Sequence, residues 1–303
     1  MTSRHDPPVP RLGAAVTGRS PGPTGPRRWT GWPWRRRDAA GSAVIGDGGD
    51  FGAAVTLLGD DRPVVRLAGV YQLARLADRA DPVGTGLRQA CIDVLCGYLR
   101  LPAGAPAIPD AAAAGHASPG TVAGPGAGVT EQEAQVRGTI LRLLAGRVHA
   151  DRPLGAGWHD CDFDLTGAAL SGVDFGRAIF RGILDCRRAR FTGDAVFTWA
   201  TFLGDARFDD AVFTGDAVFT WAVFCRAAVF TGTGFAGRAR FSQASFTGDT
   251  RFDRVRVGRD LWCPGAWFTG RLIGPDGIVR SGVEQPLSPV FGHPDPPAVA
   301  DTA

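Results

Sequence analysis

The sequence predicts a mainly β protein: a square solenoid preceded by a small α-helical region. Three observations carry this. Large apolar residues recur every five or six positions from Leu165 to Phe252, a small residue stands two places before most of them, and one ten-residue block returns 22 residues later. A helical stripe repeats every 3.6 residues and a half-buried strand every 2.0, so neither explains such a period.

The repeat begins at Leu165, Leu170, Phe175 and Phe180, in steps of five. After an irregular step across Cys186 it resumes at Phe191, Phe197, Phe202, Phe208, Phe213, Phe219, Phe224, Phe230, Phe235, Phe241, Phe246 and Phe252, alternating six and five. Alanines such as Ala195, Ala200, Ala206, Ala211, Ala217 and Ala222 precede these residues by two. If each unit forms one side and one corner of a four-sided coil, the large and the small residue both point inward. Alternating steps then give 22 residues per turn, the displacement that carries Phe191-Thr-Gly-Asp-Ala-Val-Phe197-Thr-Trp199-Ala200 onto Phe213-Thr-Gly-Asp-Ala-Val-Phe219-Thr-Trp221-Ala222. Phe197, Phe219 and Phe241 form one expected internal ladder, and Phe208, Phe230 and Phe252 another. With parallel strands about 4.8 Å apart, roughly four coils make a rod core of ~20 Å.

This pattern resembles the pentapeptide-repeat family, whose unit places a central Leu or Phe every five residues; Asp162-Phe-Asp-Leu165-Thr-Gly-Ala-Ala-Leu170-Ser-Gly-Val-Asp-Phe175 fits it directly. Upstream, Arg66-Leu-Ala-Gly-Val-Tyr71-Gln-Leu-Ala-Arg-Leu76-Ala and Cys91-Ile-Asp-Val-Leu95-Cys-Gly-Tyr-Leu-Arg100 resemble the helical segment that precedes the repeats in many actinobacterial members, and the Arg-, Ala- and Gly-rich composition fits such a source. The resemblance covers roughly residues 60 to 257 and implies a right-handed quadrilateral β-helix. The six-residue units and the complete lack of Asn depart from the plain five-residue unit.

Around the repeats, residues 1–50 are dominated by Pro, Gly, Arg and small residues, which bury too little apolar surface to offset ordering entropy, so a disordered tail is expected. Residues 51–102 read as two helices. Pro63 suits a first turn, and Leu67, Val70, Tyr71, Ala74 and Ala77, then Leu87, Cys91, Val94, Leu95 and Tyr98, recur at helical spacing. Residues 103–129 have the composition of a flexible linker. Thr130-Glu-Gln-Glu133 has capping-box spacing and opens a helix over 130–150 with Val136, Ile140, Leu143 and Leu144 on one face. The β-helix is assigned to 151–257, a C-terminal cap with Trp262, Trp267 and Phe268 to 258–285, and a second Pro-rich tail to 286–303. Open solenoid ends need covering; the helices serve the first, and the cap or a homodimer contact the second.

Composition excludes whole classes. All 33 basic residues are Arg, which removes Walker-type phosphate lysines, Schiff-base lysines and Ser-Lys pairs. Of the net charge of +3, residues 1–50 hold eight Arg against four Asp, leaving a near-neutral body. That argues against nucleic-acid binding, which needs clustered cations. Some pentapeptide-repeat proteins mimic DNA and modulate type II topoisomerases, a function the resemblance brings with it. An acidic rod is needed for that, whereas residues 163–257 contain ten Asp, no Glu and twelve Arg. The six cysteines form no C-x-x-C pair and read as reduced thiols. With no secretory h-region and no long apolar run, a cytoplasmic location is expected.

No catalytic, cofactor or metal site is predicted. Gly232-Thr-Gly234-Phe-Ala-Gly237 spells a dinucleotide fingerprint but lies inside the Phe repeat, without strand-to-helix context. His159-Asp-Cys161-Asp offers metal-type ligands without a second cluster and reads as a solvated approach to the first coil. Asp209-Asp210 reads as a solvated corner. Arg27-Arg28-Trp29-Thr-Gly-Trp32-Pro-Trp34-Arg35 interleaves aromatics with cations and offers weak contact with an anionic membrane surface, or is an idle charged tail. Trp199 and Trp221 stand two after an inward Phe and 22 apart, so they stack outward on one wall. Either they anchor a protein partner, or they stack on themselves or beneath a terminal segment. The expectation is a non-catalytic protein-interaction scaffold with an unidentified protein partner.

Overall fold

A computed structural model describes residues 47–80, 86–102, 131–153, 157–274 and 279–283. The expectations for residues 1–46, the linker over 103–129 and the tail from 286 lie outside the described residues, as does Thr130.

Four helices come first: α1 (Asp47–Leu58), α2 (Pro63–Arg79), α3 (Leu87–Arg100) and α4 (Glu131–Val148). Pro63 occupies the first turn of α2, where a missing N–H is harmless. The sequence reading put two helices in this stretch; α1 is a third, and it begins inside the segment assigned to the N-terminal tail. Its glycines disguise it. It packs on α2 at Gly69, where a Cβ would come within 2.5 Å of the Leu58 nitrogen. The spacing placed Tyr71 on the buried face of α2, yet it is exposed while Leu73 and Leu76 are buried. Glu133 Oε2 accepts the Tyr98 hydroxyl at 2.8 Å and an Arg66 N–H at 3.2 Å; the capping box with Thr130 lies outside the described residues.

From Phe163 onward the chain is a parallel β-solenoid of about five turns. Each Leu and Phe of the repeat named above is buried, at 2 % exposure or less. The rings stack along the rod and meet edge-on across it. Phe197, Phe219 and Phe241 are parallel at 4.7 and 4.8 Å, and Phe208, Phe230 and Phe252 at 5.0 Å. Phe208 and Phe219 are edge-to-face at 5.6 Å, the two arrangements that the aromatic quadrupole favours.

The corners explain the two step lengths. In each five-residue step the chain turns through a left-handed residue, and the small residue donates its N–H back to the carbonyl of the preceding large one, as from Ala200 to Phe197 and Ala222 to Phe219, both at 3.1 Å. The six-residue steps have a second kind of corner, built on x-Gly-Asp at Gly193, Gly204, Gly215 and Gly248 and on Arg181-Gly-Ile183, Cys225-Arg-Ala227, Ala236-Gly-Arg238 and Gly258-Arg-Asp260 elsewhere. There the coils approach so closely that a Cβ on Gly204 would lie 2.0 Å from the Gly182 oxygen, and one on Gly237 2.3 Å from the Gly215 oxygen. The aspartate that follows bridges coils: Asp194 Oδ1 accepts the Asp216 N–H, and Asp216 Oδ1 accepts the Arg238 N–H, both at 2.9 Å. The first coil differs because Gly172, in the left-handed region, replaces a six-residue corner. Pairing therefore runs 21 apart from Ala169 to Arg190 and 22 apart beyond a register shift at Ser171/Val173.

The assigned end at 257 is too early. Leu261–Trp262 pairs with Ala239–Arg240, and Phe268 stacks on Phe246 at 4.5 Å, so residues 258–273 are a further coil rather than a cap. Trp262 and Trp267 face outward. An antiparallel strand, Val279–Val283, pairs with Trp267–Ile273. At the other end α3 and α4 meet the first coil. Gln89 exchanges both amide hydrogen bonds with the backbone of Asp162, at 2.8 and 2.9 Å, and the Arg137 guanidinium donates to the carbonyls of Leu99 and Ala169. These polar arms satisfy backbone groups that an uncovered strand edge would leave unpaired.

Candidate functional site

Four columns of corners run along the rod, and one of them contains Arg177, Trp199, Trp221, Gln243 and Gly265, each 22 from the next. Trp199 and Trp221 are parallel within 2° at 4.9 Å, with 56 % and 43 % exposure. Their backbones have φ of +61° and +60°. A bulky residue in that region costs about 1–2 kcal/mol, a cost that glycine avoids at Gly265, φ +66°, in the same column. Two rings are thus held in water on backbones that oppose them.

The wall that begins at this corner is free of formal charge from the second coil onward. Its outward residues are Trp199, Thr201 and Leu203, then Trp221, Val223 and Cys225. Gln243, Ser245 and Thr247 follow, and Trp267 and Thr269 after them. The wall of Asp185, Arg207 and Arg251 is the opposite in kind, its charges paired along the surface: Arg187 with Asp185 at 2.8 Å, Arg207 with Asp205 at 3.0 Å, Arg251 with Asp253 at 3.1 Å. Sequence reasoning found the tryptophan pair but neither its backbone strain nor the uncharged surroundings, which emerge only once the outward residues are sorted by wall.

The remaining candidates assemble no chemistry. Gly232 is a left-handed corner, Gly237 a close-approach corner and Phe235 an inward ring, so the dinucleotide-like string is spread around a coil. His159 and Cys161 are not solvated, as the sequence reading had them, but buried where the helices meet the first coil, and His159 Nε2 lies 3.3 Å from the His149 carbonyl oxygen. Among the described residues no group of three or more His, Cys, Asp or Glu is placed to hold a metal ion. Asp210 is a left-handed corner at φ +53°, and burial raises the neighbouring Asp209 carboxyl above its ordinary range.

The model for pentapeptide repeats, in nine copies, matches residues 197–245. Residues 197–245 are similar to pentapeptide repeats. The match spans the coils that carry Trp199 and Trp221, and the solenoid extends in both directions beyond it, from Phe163 to Ile273. No curated protein and no solved structure matches the chain. No helix among the described residues is long and apolar enough to cross a membrane.

All six cysteines are free thiols. Burial pushes Cys91 up to about 11 and Cys161 and Cys263 up to about 12, and it raises Cys96 and Cys186 as well. Cys225, on the uncharged wall, is half-buried. Because the thiolate is the reacting form, titration of the native protein with a disulfide reagent at pH 8 is expected to label Cys225 quickly and the other five only on unfolding. Rapid labelling of a second thiol would show that the core opens.

Proposed function

We propose that this chain is a non-catalytic protein-interaction scaffold whose recognition face is the uncharged wall beginning at Trp199 and Trp221. The observation that carries the reading is the exposed, stacked indole pair kept at left-handed corners. The left-handed backbone is the ordinary corner of this solenoid, shared by Arg177, Arg188, Asp210, Gln243 and Arg254, so the reading rests on the exposed, stacked rings themselves, and tryptophan is enriched at the centre of protein-recognition surfaces. The rest of the surface supports a scaffold rather than a nucleic-acid mimic. The solenoid's carboxylates lie among guanidinium groups, leaving no acidic stripe, so added protein is expected to leave topoisomerase supercoiling unchanged.

The test is affinity purification from the native host, with wild type against Trp199→Gly/Trp221→Gly. Glycine relieves the corner strain while the ring stack, about 0.5–1.5 kcal/mol, is lost, so the melting temperature is expected to stay within about 5 °C. A protein recovered with wild type is expected to fall at least tenfold with the variant. Equal recovery of every partner from both would sink the proposal.

A further inference from the structure

The described chain stops at the C-terminal end of the column that contains Trp199 and Trp221. Val279–Val283 runs back along Trp267–Ile273, with Val279 opposite Ile273 and Val283 opposite Phe268. The backbone is therefore heading toward Trp267 and Gly265, the far end of the column that contains Trp199 and Trp221. Val279–Val283 adds a layer beyond the fifth coil, so at about 4.8 Å per layer the Trp221 corner is three layers away, or ~14 Å, and the Trp199 corner four, or ~19 Å.

The residues that follow are Glu284-Gln285-Pro286-Leu287-Ser288-Pro289-Val290-Phe291-Gly292-His293-Pro294. Proline favours an extended left-handed form rising about 3.1 Å per residue, so nine residues in that form, the length of Pro286 to Pro294, would reach roughly 28 Å, enough to pass both indoles. Gln285 to Pro294 contains no Asp, Glu or Arg, which matches a wall that has none. Proline-rich segments dock on exposed aromatic surfaces because their extended form is already restricted and loses little entropy on binding. Attachment at Val283 also makes the encounter intramolecular, at an effective concentration in the millimolar range.

We propose that Pro286–Pro294 packs along the Trp199/Trp221 corner of its own chain. The inference rests on the reading of this wall as a recognition face, and it makes the C-terminal segment the competitor that a partner displaces. The test is limited chymotrypsin digestion of the full chain, following cleavage after Phe291 by mass spectrometry, with a synthetic peptide of residues 284–303 giving the unprotected rate. Cleavage in the full chain is expected to be at least tenfold slower than in the peptide, and in Trp199→Gly/Trp221→Gly to approach the peptide's rate. Should that variant lose its far-ultraviolet circular dichroism, Trp199→Gln/Trp221→Gln replaces it, since Gln243 occupies the same column at φ +57°. Full-chain cleavage as fast as the peptide's overturns the proposal, and so does protection that survives in the folded variant. Protection that disappears on dilution together with a dimer in light scattering places the segment on a second copy and overturns the intramolecular arrangement. If the segment is unprotected while the variant still loses its partner, the tail contact fails and the scaffold reading stands.

Discussion

Phe219→Ala is expected to destabilise the protein by about 3–5 kcal/mol, the range for truncating a fully buried aromatic ring. The position is central in every direction. Phe219 stacks between Phe197 and Phe241 and meets Phe208 and Phe230 edge-on at 5.6 Å. Each coil contacts only its neighbours, so a void in the third coil weakens the coupling between the two halves of the rod and cannot be filled from a distance. Phe219→Leu keeps most of the volume and is expected to cost less than ~1.5 kcal/mol. Denaturant unfolding followed by circular dichroism measures both. A loss below about 1 kcal/mol for the alanine form would mean that the coil collapses around the gap and that the ladder is not the main source of cohesion.

Gly204→Ala is expected to be comparably severe for a different reason, at or above the ~3 kcal/mol upper end of ordinary overpacking. The added methyl would meet the Gly182 carbonyl oxygen at 2.0 Å and its carbon at 2.5 Å. Both belong to the backbone, so no side chain can swing aside, and relief requires the corner's backbone to shift, as it must where Arg226 stands in the same column. Gly193→Ala is the control. Its φ is +74°, but a Cβ there meets nothing within 4 Å, so only the left-handed strain of about 1–2 kcal/mol applies. Equal losses in the two variants would show that conformation rather than close approach decides the glycine corners.

The interior of the solenoid was legible in the sequence because a regular coil repeats its inward positions, and Phe is an unmistakable mark. Where the inward residue is smaller the mark fades and the period alone remains. Cys186 caused an apparent irregularity, yet it is the missing central residue: steps of six and five lead from Phe180 through Cys186 to Phe191, and it is fully buried between Leu165 and Phe208 in its column. The same spacing continues past Phe252 through Val257 and Cys263 to Phe268, so the fifth coil was present in the numbering and hidden by residue type. Helix α1 was hidden by composition, since three glycines and two aspartates in twelve residues resemble tail sequence until Gly69 is seen to admit it against α2. Of the candidate site, the outward stacking of the tryptophans followed from the 22-residue displacement. Their strained φ values did not, because a corner that accepts Arg177, Gln243 or Gly265 has no side-chain signature that would reveal its handedness.

The identity of the blocks Phe191–Ala200 and Phe213–Ala222 ties the number of exposed indoles to the number of coils. Copying one 22-residue block lengthens the rod by a single ~4.8 Å layer, leaves both ends unchanged and adds one more indole in line with the first two. Deleting a block removes one. The valence of the wall is therefore a counting variable, adjustable by whole layers without redesign of any interface, and a partner that reads successive indoles would gain or lose grip in discrete steps.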